Sequence, residues 1–529
     1  MKKLFKLTIA LMLVLGGLGA VKTDVNAVTI PADDTDITAM FTDAAFKNYV
    51  VNNYGNGSVV TYGQVKSVTA IDLFFEGVTS LDGVEYFTAL TSLKAEFNNI
   101  VEADLSELTN LKVLSLWGNS TLTSINLNGL VNLETLDLMG ASITSLDLST
   151  NTALKNVALM STALESLDVS ACVNLEVLQL SASTGLATLN LGTISNLKEL
   201  EVVQTSLTTL DLQSATSLQK LKAGTNNFGS LDLSGLSALT YANVQESNIS
   251  SLVLGDNTAL RELYLAKNSL STLDTSSLDS LVILDVGTNE FATLDVSDVT
   301  SLRELWVNDN PLTSLNVEDL SSLITIEGEN TEIEEFKVAS GHTFAKVNLK
   351  NAHIESLEDG VGISATTLLA DGQTKEKVIE EDATGYYIET IGNAVPDTAT
   401  IGDGVWDSAT QRVTWPLTTD IDTILALEIS YTSNIATTRA ANAFSGVYEL
   451  SYSGPVTTPV TPEKYHTVNF YDCASQIVAQ GWAKDNESVT APNLSYTYES
   501  SVYQNVTSNR DAYPTNCSGS FAIPNTATK

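Results

Sequence analysis

Leu133-Glu-Thr-Leu136-Asp-Leu138, then Ile143-Thr-Ser-Leu146-Asp-Leu148, is the stretch that decides the fold, because the chain repeats it. Listing the residues that open each copy gives Val68, Leu90, Leu111, Leu133, Leu154, Leu175, Leu197, Leu218, Leu239, Leu260, Leu281, Leu302, Leu323 and Phe344, fourteen copies at a period of 21 or 22. Chance does not hold register that long. Within Leu-x-x-Leu-x-Leu the last two leucines are two apart, so on a strand both point to the same side. One coil cannot bury that side alone, but stacked coils bury one another's leucines as a continuous column.

A period in the twenties with this leucine spacing marks a leucine-rich-repeat solenoid. The polar gap after each strand carries Asn98, Asn119, Asn226, Asn268, Asn289 and Asn310 at one phase, with Thr, Ser or Ala in the other copies. A carboxamide both donates and accepts, so it can satisfy backbone groups where the chain turns inside the stack. These asparagines are structural. The expected class is α/β to mainly β: a horseshoe of about fourteen repeats of 21–22 residues, with a small helical N-terminal cap and two C-terminal β domains.

The chain opens with the basic Met1-Lys-Lys-Leu-Phe-Lys, then an apolar run from Leu7 to Leu18, then Val25-Asn26-Ala27. That order predicts a signal peptide spanning 1–27, cleaved after Ala27. No later run is apolar over the 18 or so residues that a transmembrane helix needs. Cleavage takes the formal charge of −37 to about −40, since Lys2, Lys3, Lys6, Lys22 and Asp24 together carry +3. Such a polyanion repels nucleic acids and anionic membranes.

Residues 28–67 are expected to cap the solenoid, with Thr42-Asp43 starting a helix, a stripe of Ala45, Phe46, Tyr49 and Val50, and Gly55 ending it. The loop after it, Asn53-Tyr-Gly-Asn-Gly-Ser-Val, has no carboxylates, and no metal is predicted there. The repeats run over 68–359. Short alternating runs over 360–454 suggest an immunoglobulin-like β-sandwich. Gly454-Pro-Val-Thr-Thr-Pro-Val-Thr-Pro makes 455–463 a semi-rigid linker. Residues 464–529 form the last module, where Cys473 and Cys517 are expected to pair in an exported chain. That bridge would add about 3–4.7 kcal/mol in the chain-entropy picture. Cys172 reads as a small core filler.

Phe46-Lys-Asn-Tyr-Val-Val-Asn-Asn-Tyr, Val68-Thr-Ala-Ile-Asp-Leu and Leu81-Asp-Gly-Val-Glu-Tyr-Phe, with repeats of the form Leu-Thr-Ser-Leu-Asp-Leu-Ser, resemble the internalin-like leucine-rich-repeat proteins of bacterial surfaces. The resemblance covers residues 40–359 and implies a helical cap and a concave face that binds a host or cell-surface protein. His466-Thr-Val-Asn-Phe-Tyr-Asp and the run after Gln480 are similar to the small β-grasp-type modules that follow such horseshoes. Ile523-Pro-Asn-Thr-Ala resembles a wall-sorting signal but lacks its final Gly. Secretion or display at the bacterial surface is the expected location, with no clear wall-anchor motif.

On each strand the third, fifth and seventh positions of the repeat face outward onto the concave sheet. The seventh reads Phe74, Glu96, Trp117, Met139, Met160, Ser181, Val203, so Trp117, Met139 and Met160 are neighbours on adjacent strands. Aromatic and Met side chains dominate binding anchors, and this row is a candidate partner-binding site. A second group is Tyr241, Tyr264 and Trp306 with Glu262, Asp285 and Glu304. The bland reading of both is cross-strand packing.

Asp147, Asp168, Asp211, Asp232, Asp274 and Asp295 recur at one phase of the opposite half-repeat. One carboxylate per coil makes a poor calcium cage, and acceptance of backbone N–H bonds explains them better. His342, His353 and His466 lie in no nucleophile-like context, and no phosphate loop or zinc spacing occurs. No catalysis and no cofactor is predicted. The expected function is recognition of a protein receptor on a host or neighbouring cell. A glycan-binding or glycan-hydrolysing surface protein, and a purely structural envelope protein, are the alternatives.

Overall fold

The computed structural model describes residues 30–452 except 340, 355–363, 371, 391–393 and 436–441, followed by the strands Tyr465–Tyr471 and Ile477–Lys484 and five two-residue strands. The expected signal segment, the linker at 455–463 and both Cys473 and Cys517 lie outside the described residues. Two compact units divide the chain, Met1–Leu270 with Ser277–Leu281, and Ser271–Ser276 with Val282–Lys529.

In the first unit, Asp43 caps a helix over Ala44–Tyr54, its carboxylate accepting the Phe46 N–H at 2.8 Å. The same carboxylate accepts from Thr79 Oγ1 at 2.6 Å and so ties the helix to the first coil. Phe46 and Val50 are buried beneath it, with the Phe41 and Phe87 rings against Phe46. The cap therefore covers the apolar end of the stack.

Ten three-residue parallel strands follow, from Ala70–Asp72 to Glu262–Tyr264, one per coil. In each, the middle residue is buried or nearly so and its neighbours face out: Thr135–Asp137 buries Leu136, and Glu262–Tyr264 buries Leu263. The Leu-Asp-Leu half of the repeat forms short parallel pairs of its own, such as Ser166–Asp168 with Thr188–Asn190. The leucines of the main sheet, such as Leu136, Leu178, Leu200, Leu221 and Leu263, are fully buried, and burying each stabilises the stack by about 1.5–3 kcal/mol.

The asparagine ladder satisfies the turn. Asn226 Nδ2 donates to Val202 O one coil back at 2.7 Å and to Ala223 O in its own coil at 2.9 Å, while Oδ1 accepts the Thr205 N–H at 3.1 Å. Thr162 and Ser183, at the same phase, reach the Leu159 carbonyl with their hydroxyls. In a second row of asparagines, Asn110, Asn132, Asn174 and Asn196 each donate to a carbonyl of the preceding coil.

The residue before each ladder position turns the chain through positive φ. Phe75, Phe97, Ser161, Ala182, Gln204, Thr225, Glu246 and Lys267 do so in the first unit, with glycine in that role only at Gly118 and Gly140. Their N–H groups point to the next coil, as Phe97 N does to Trp117 O at 2.8 Å. That bond holds a conformation costing a non-glycine residue about 1–2 kcal/mol.

The second unit continues the pattern with Ile283–Asp285, Glu304–Trp306, Thr325–Glu327, Thr343–Asn348 and Ser364–Leu369, all parallel. Coil-to-coil bonding therefore runs beyond residue 360. Gln373 takes the ladder position of a further coil: its Nε2 donates to Leu349 O and Ala370 O, and its Oε1 accepts the Ile354 N–H at 2.9 Å. Asn310 makes the same three contacts at the same spacings, with Val286 O, Val307 O and the Phe291 N–H. Gly372, at φ 77°, fills the positive-φ position just before it.

Gln373 also begins the strand Gln373–Glu381, the longest but one of a seven-stranded sheet. On one side it pairs in parallel with Asn442–Tyr452, then Ile429–Ile435 and Ala394–Pro396; on the other it pairs with Tyr386–Glu389, then Arg412–Trp415 and Val405–Asp407. Trp415, Tyr431, Tyr448, Ile388 and Val413 fill its core. Tyr431 Oη donates to Ile354 O of the last coil at 2.8 Å, and Lys375 meets Glu334 at 2.8 Å. The sheet is thus bonded directly to the end of the solenoid. Farther on, Tyr465–Tyr471 pairs antiparallel with Ile477–Lys484.

Candidate functional site: the exposed face of the parallel sheet

Strand register fixes which outward residues are neighbours. In the first unit Gly118 N donates to Met139 O and Gly140 N to Met160 O, each at 2.9 Å, setting Trp117, Met139 and Met160 side by side on consecutive coils. Trp117 is 38% exposed, and the two methionines are half-buried.

The row does not stand alone. Phe97 packs on Trp117 with ring centroids 4.6 Å apart, and Phe74 meets Phe97 edge-on at 5.6 Å. Phe74 and Phe97 are 58% and 38% exposed, so Phe74, Phe97 and Trp117 make a contiguous aromatic surface over the first three coils, and Phe75, next to Phe74 in the chain, is 75% exposed. Gly118 makes room for it, since a Cβ there would stand 2.9 Å from Phe97 Cδ1. Reading the repeat by position seven alone overlooks Phe75 and Phe97, which occupy position eight. Their signal in the sequence is two large aromatics at a position whose other occupants are small or polar.

Around this surface lie Asp72, Glu96 and Asp137, with Lys94 between Asp72 and Ser115 on neighbouring strands. Burial among its neighbours pushes the Asp137 carboxyl up, and the Glu96 charge adds to that, although the Met139 N–H bond to Oδ1 at 3.1 Å opposes it.

Farther along the same unit the chemistry changes. Glu199 pairs with Lys220 at 2.6 Å, and Glu201 with Lys222. Next to them Tyr241 stands opposite Glu262 and Asn243 opposite Tyr264. The two tyrosine rings are 5.6 Å apart at 47°, and Tyr264 Oη donates to Glu262 Oε2 at 3.0 Å.

In the second unit Glu304 and Trp306 share one strand, with Asp285 and Glu327 in register on either side of Trp306. Asp285 accepts the Gly287 N–H at 3.0 Å, and Glu327 is held by Lys346 and by Asn348 Nδ2. The nine sequence candidates thus fall into three places: the Trp117 row, the Tyr241–Glu262–Tyr264 square, and the Trp306 strand with Asp285 and Glu304.

The aspartates of the other half-repeat accept backbone N–H bonds. Asp147, Asp168, Asp211, Asp232, Asp274 and Asp295 each take the N–H two residues on, at 2.8–3.1 Å. Those bonds, with the serine hydroxyls, hold the Asp168 and Asp274 carboxyls below the usual range. Among the described residues no group of three or more His, Cys, Asp or Glu is placed to hold a metal ion. His342 Nε2 lies 2.6 Å from Leu323 O, and burial lowers the His353 pKa. No helix among the described residues is long and apolar enough to cross a membrane.

No family model matches the sequence, and no curated relative does either. Among solved structures, the functional domain of InlJ from Listeria monocytogenes, which includes a cysteine ladder, is 22% identical with a TM-score of 0.52, covering 80% of this chain and 100% of that one. InlF, an internalin of the same species, is 23% identical with a TM-score of 0.47, covering 65% of this chain and 93% of that one. YopM from Yersinia enterocolitica is 18% identical with a TM-score of 0.40, covering 62% of this chain and 83% of that one. The likeness to InlJ shows the fold, a mainly β leucine-rich-repeat solenoid.

Proposed function

We propose that this chain is an exported binding protein that recognises a protein partner through the exposed face of its parallel sheet, with Trp117, Met139 and Met160 as the anchor row. The observation that carries this reading is the contiguous exposed surface of Phe74, Phe97 and Trp117, continued by the two methionines. Large apolar groups left in water on a rigid scaffold favour a partner that removes them from it. Aromatic residues gain the most from that burial, because they bring area at little entropy cost, and Met adds a polarizable group that adapts to the partner's shape.

The acids around the row favour a partner with basic groups at its rim, which would raise the association rate and make it salt-sensitive. In the second unit Trp306, with Asp285 and Glu304, is a separate candidate contact surface. The basic start and apolar run expected to be a signal peptide support an extracellular role, and the likeness to the InlJ domain supports the solenoid scaffold on which the face is displayed. The test is a chain with Trp117, Met139 and Met160 all changed to alanine, assayed for binding to intact cells. A loss of at least ~30-fold in affinity is expected for an interface centred there. Unchanged affinity in a folded variant overturns the site.

A further inference from the structure

We infer that the square formed by Tyr241, Asn243, Glu262 and Tyr264 is a saccharide-binding site, separate from the Trp117 row and taking a neutral chain of pyranose rings. This goes beyond the protein-binding reading and does not rest on it. Three features of the square point to that ligand class.

First, two tyrosine rings stand on adjacent strands 5.6 Å apart at 47° to each other. That is a stepped platform on which consecutive sugar rings of a twisted chain can each lay a C–H face. Second, the corners between the rings are planar hydrogen-bonding groups. Asn243 sits opposite Tyr264 and Glu262 opposite Tyr241, so an amide and a carboxylate flank each ring. Vicinal hydroxyls present a donor and an acceptor together, which matches paired planar groups. The orientation is already set: Glu262 takes the Tyr264 hydroxyl at 3.0 Å, and Asn243 Oδ1 takes the Gln245 N–H at 3.2 Å. Such fixed groups lower the ordering cost of binding.

Third, the charge beside the square is already neutralised. Lys220 and Lys222, in register with Tyr241 and Asn243, are held by Glu199 and Glu201. In a chain of net charge −37 this strip offers little to a basic protein surface, whereas an uncharged polyol needs only stacking and hydrogen bonds. Gly224, beside Gln245 in the next outward column, adds no side chain to block the approach.

The experiment is isothermal titration of the full chain with chitotetraose, cellotetraose, maltotetraose and mannotetraose. Saturable binding of at least one is expected, weakened ~tenfold or more by Tyr241→Ala, Tyr264→Ala or Glu262→Gln and much less by Tyr264→Phe, which keeps the ring. Trp117→Ala should bind the sugar as the parent does, so that loss of the protein site and loss of the sugar site read out separately. Circular dichroism checks that each variant folds. The proposal is overturned if all four sugars fail to bind at about 10 mM, well above the ~1 mM expected of a weak site. It is equally overturned if the folded tyrosine variants bind a sugar unchanged.

Discussion

Two stretches of one sheet face share a backbone and differ in how their aromatic and charged groups are arranged. From Phe74 to Met160 the outward positions carry aromatic and thioether groups among the acids Glu96 and Asp137, and Lys94 alone among them is cationic. From Glu199 to Tyr264 the same positions carry lysine–glutamate pairs and a tyrosine square. The buried leucines beneath are alike in both, so the fold places no demand on the difference. What the scaffold leaves unconstrained is where binding chemistry is written.

The largest effect should come from breaking one stretch without the other. Trp117→Ala removes the centre of the apolar surface and should cost the protein partner about 2 kcal/mol or more while leaving sugar affinity alone. Tyr264→Ala should do the reverse. If both variants lose both ligands, the two stretches are a single site.

Next comes the contrast between face and interior. Asn310 makes bonds to Val286 O, Val307 O and the Phe291 N–H, all buried. Asn310→Ala should destabilise by about 2–3 kcal/mol, since lost partners leave buried groups unsatisfied. Urea titration measures it, with Trp117→Ala as the comparison that should move the midpoint little.

Phe75 sharpens the point from the other side. It is held at φ 57° and is mostly in water, so its ring gives the fold little. Phe75→Gly should stabilise by about 0.5–1 kcal/mol as the strain is relieved. A fall in the urea midpoint would mean that the ring packs against its neighbours enough to offset the strain. The gain in stability should come with weaker partner binding.

The smallest effect is electrostatic. Asp137 has its pKa raised by burial, so its charged form opposes folding. The cost is absent below the ordinary value of 3.8 and is fully present once pH has risen through the folded pKa. Asp137→Asn should therefore be more stable than the parent at pH 7 and equal to it near pH 3. Asp168, on the opposite half-repeat, has its pKa lowered by Ser170 and Asn190. Its contribution is present above 3.8 and is lost as pH falls through the folded pKa, so Asp168→Asn should be less stable at pH 7, with the deficit vanishing in acid. Urea midpoints at the two pH values decide both signs.

The interior was legible because it is periodic. Leu136 and Leu263 must be apolar for coils to stack, and Asn226 and Asn310 must be polar for turns to close, so fourteen copies restate one rule. The end of that rule was harder to read. Gln373 does the work of an asparagine with one more methylene, and Phe344 and Val347 stand where leucines had been, so the leucine count stops before the coil bonding does. The face was legible only in part. Register alone places Trp117 beside Met139, but Phe97 joins them because its positive φ swings the ring over Gly118, and no side-chain pattern announces that geometry. The tyrosine square needed both strands in register and the charge pairs beside it. Neither follows from one repeat at a time.

Binding of a protein partner by the exposed face of the sheet can be tested directly. The most direct test is saturable binding of residues 28–529 to intact cells, with and without prior protease treatment of the cells, using the parent chain and the Trp117, Met139, Met160 triple-alanine variant. The account predicts saturable binding that protease treatment abolishes and that the variant loses. Binding that survives protease and is the same for parent and variant would contradict it.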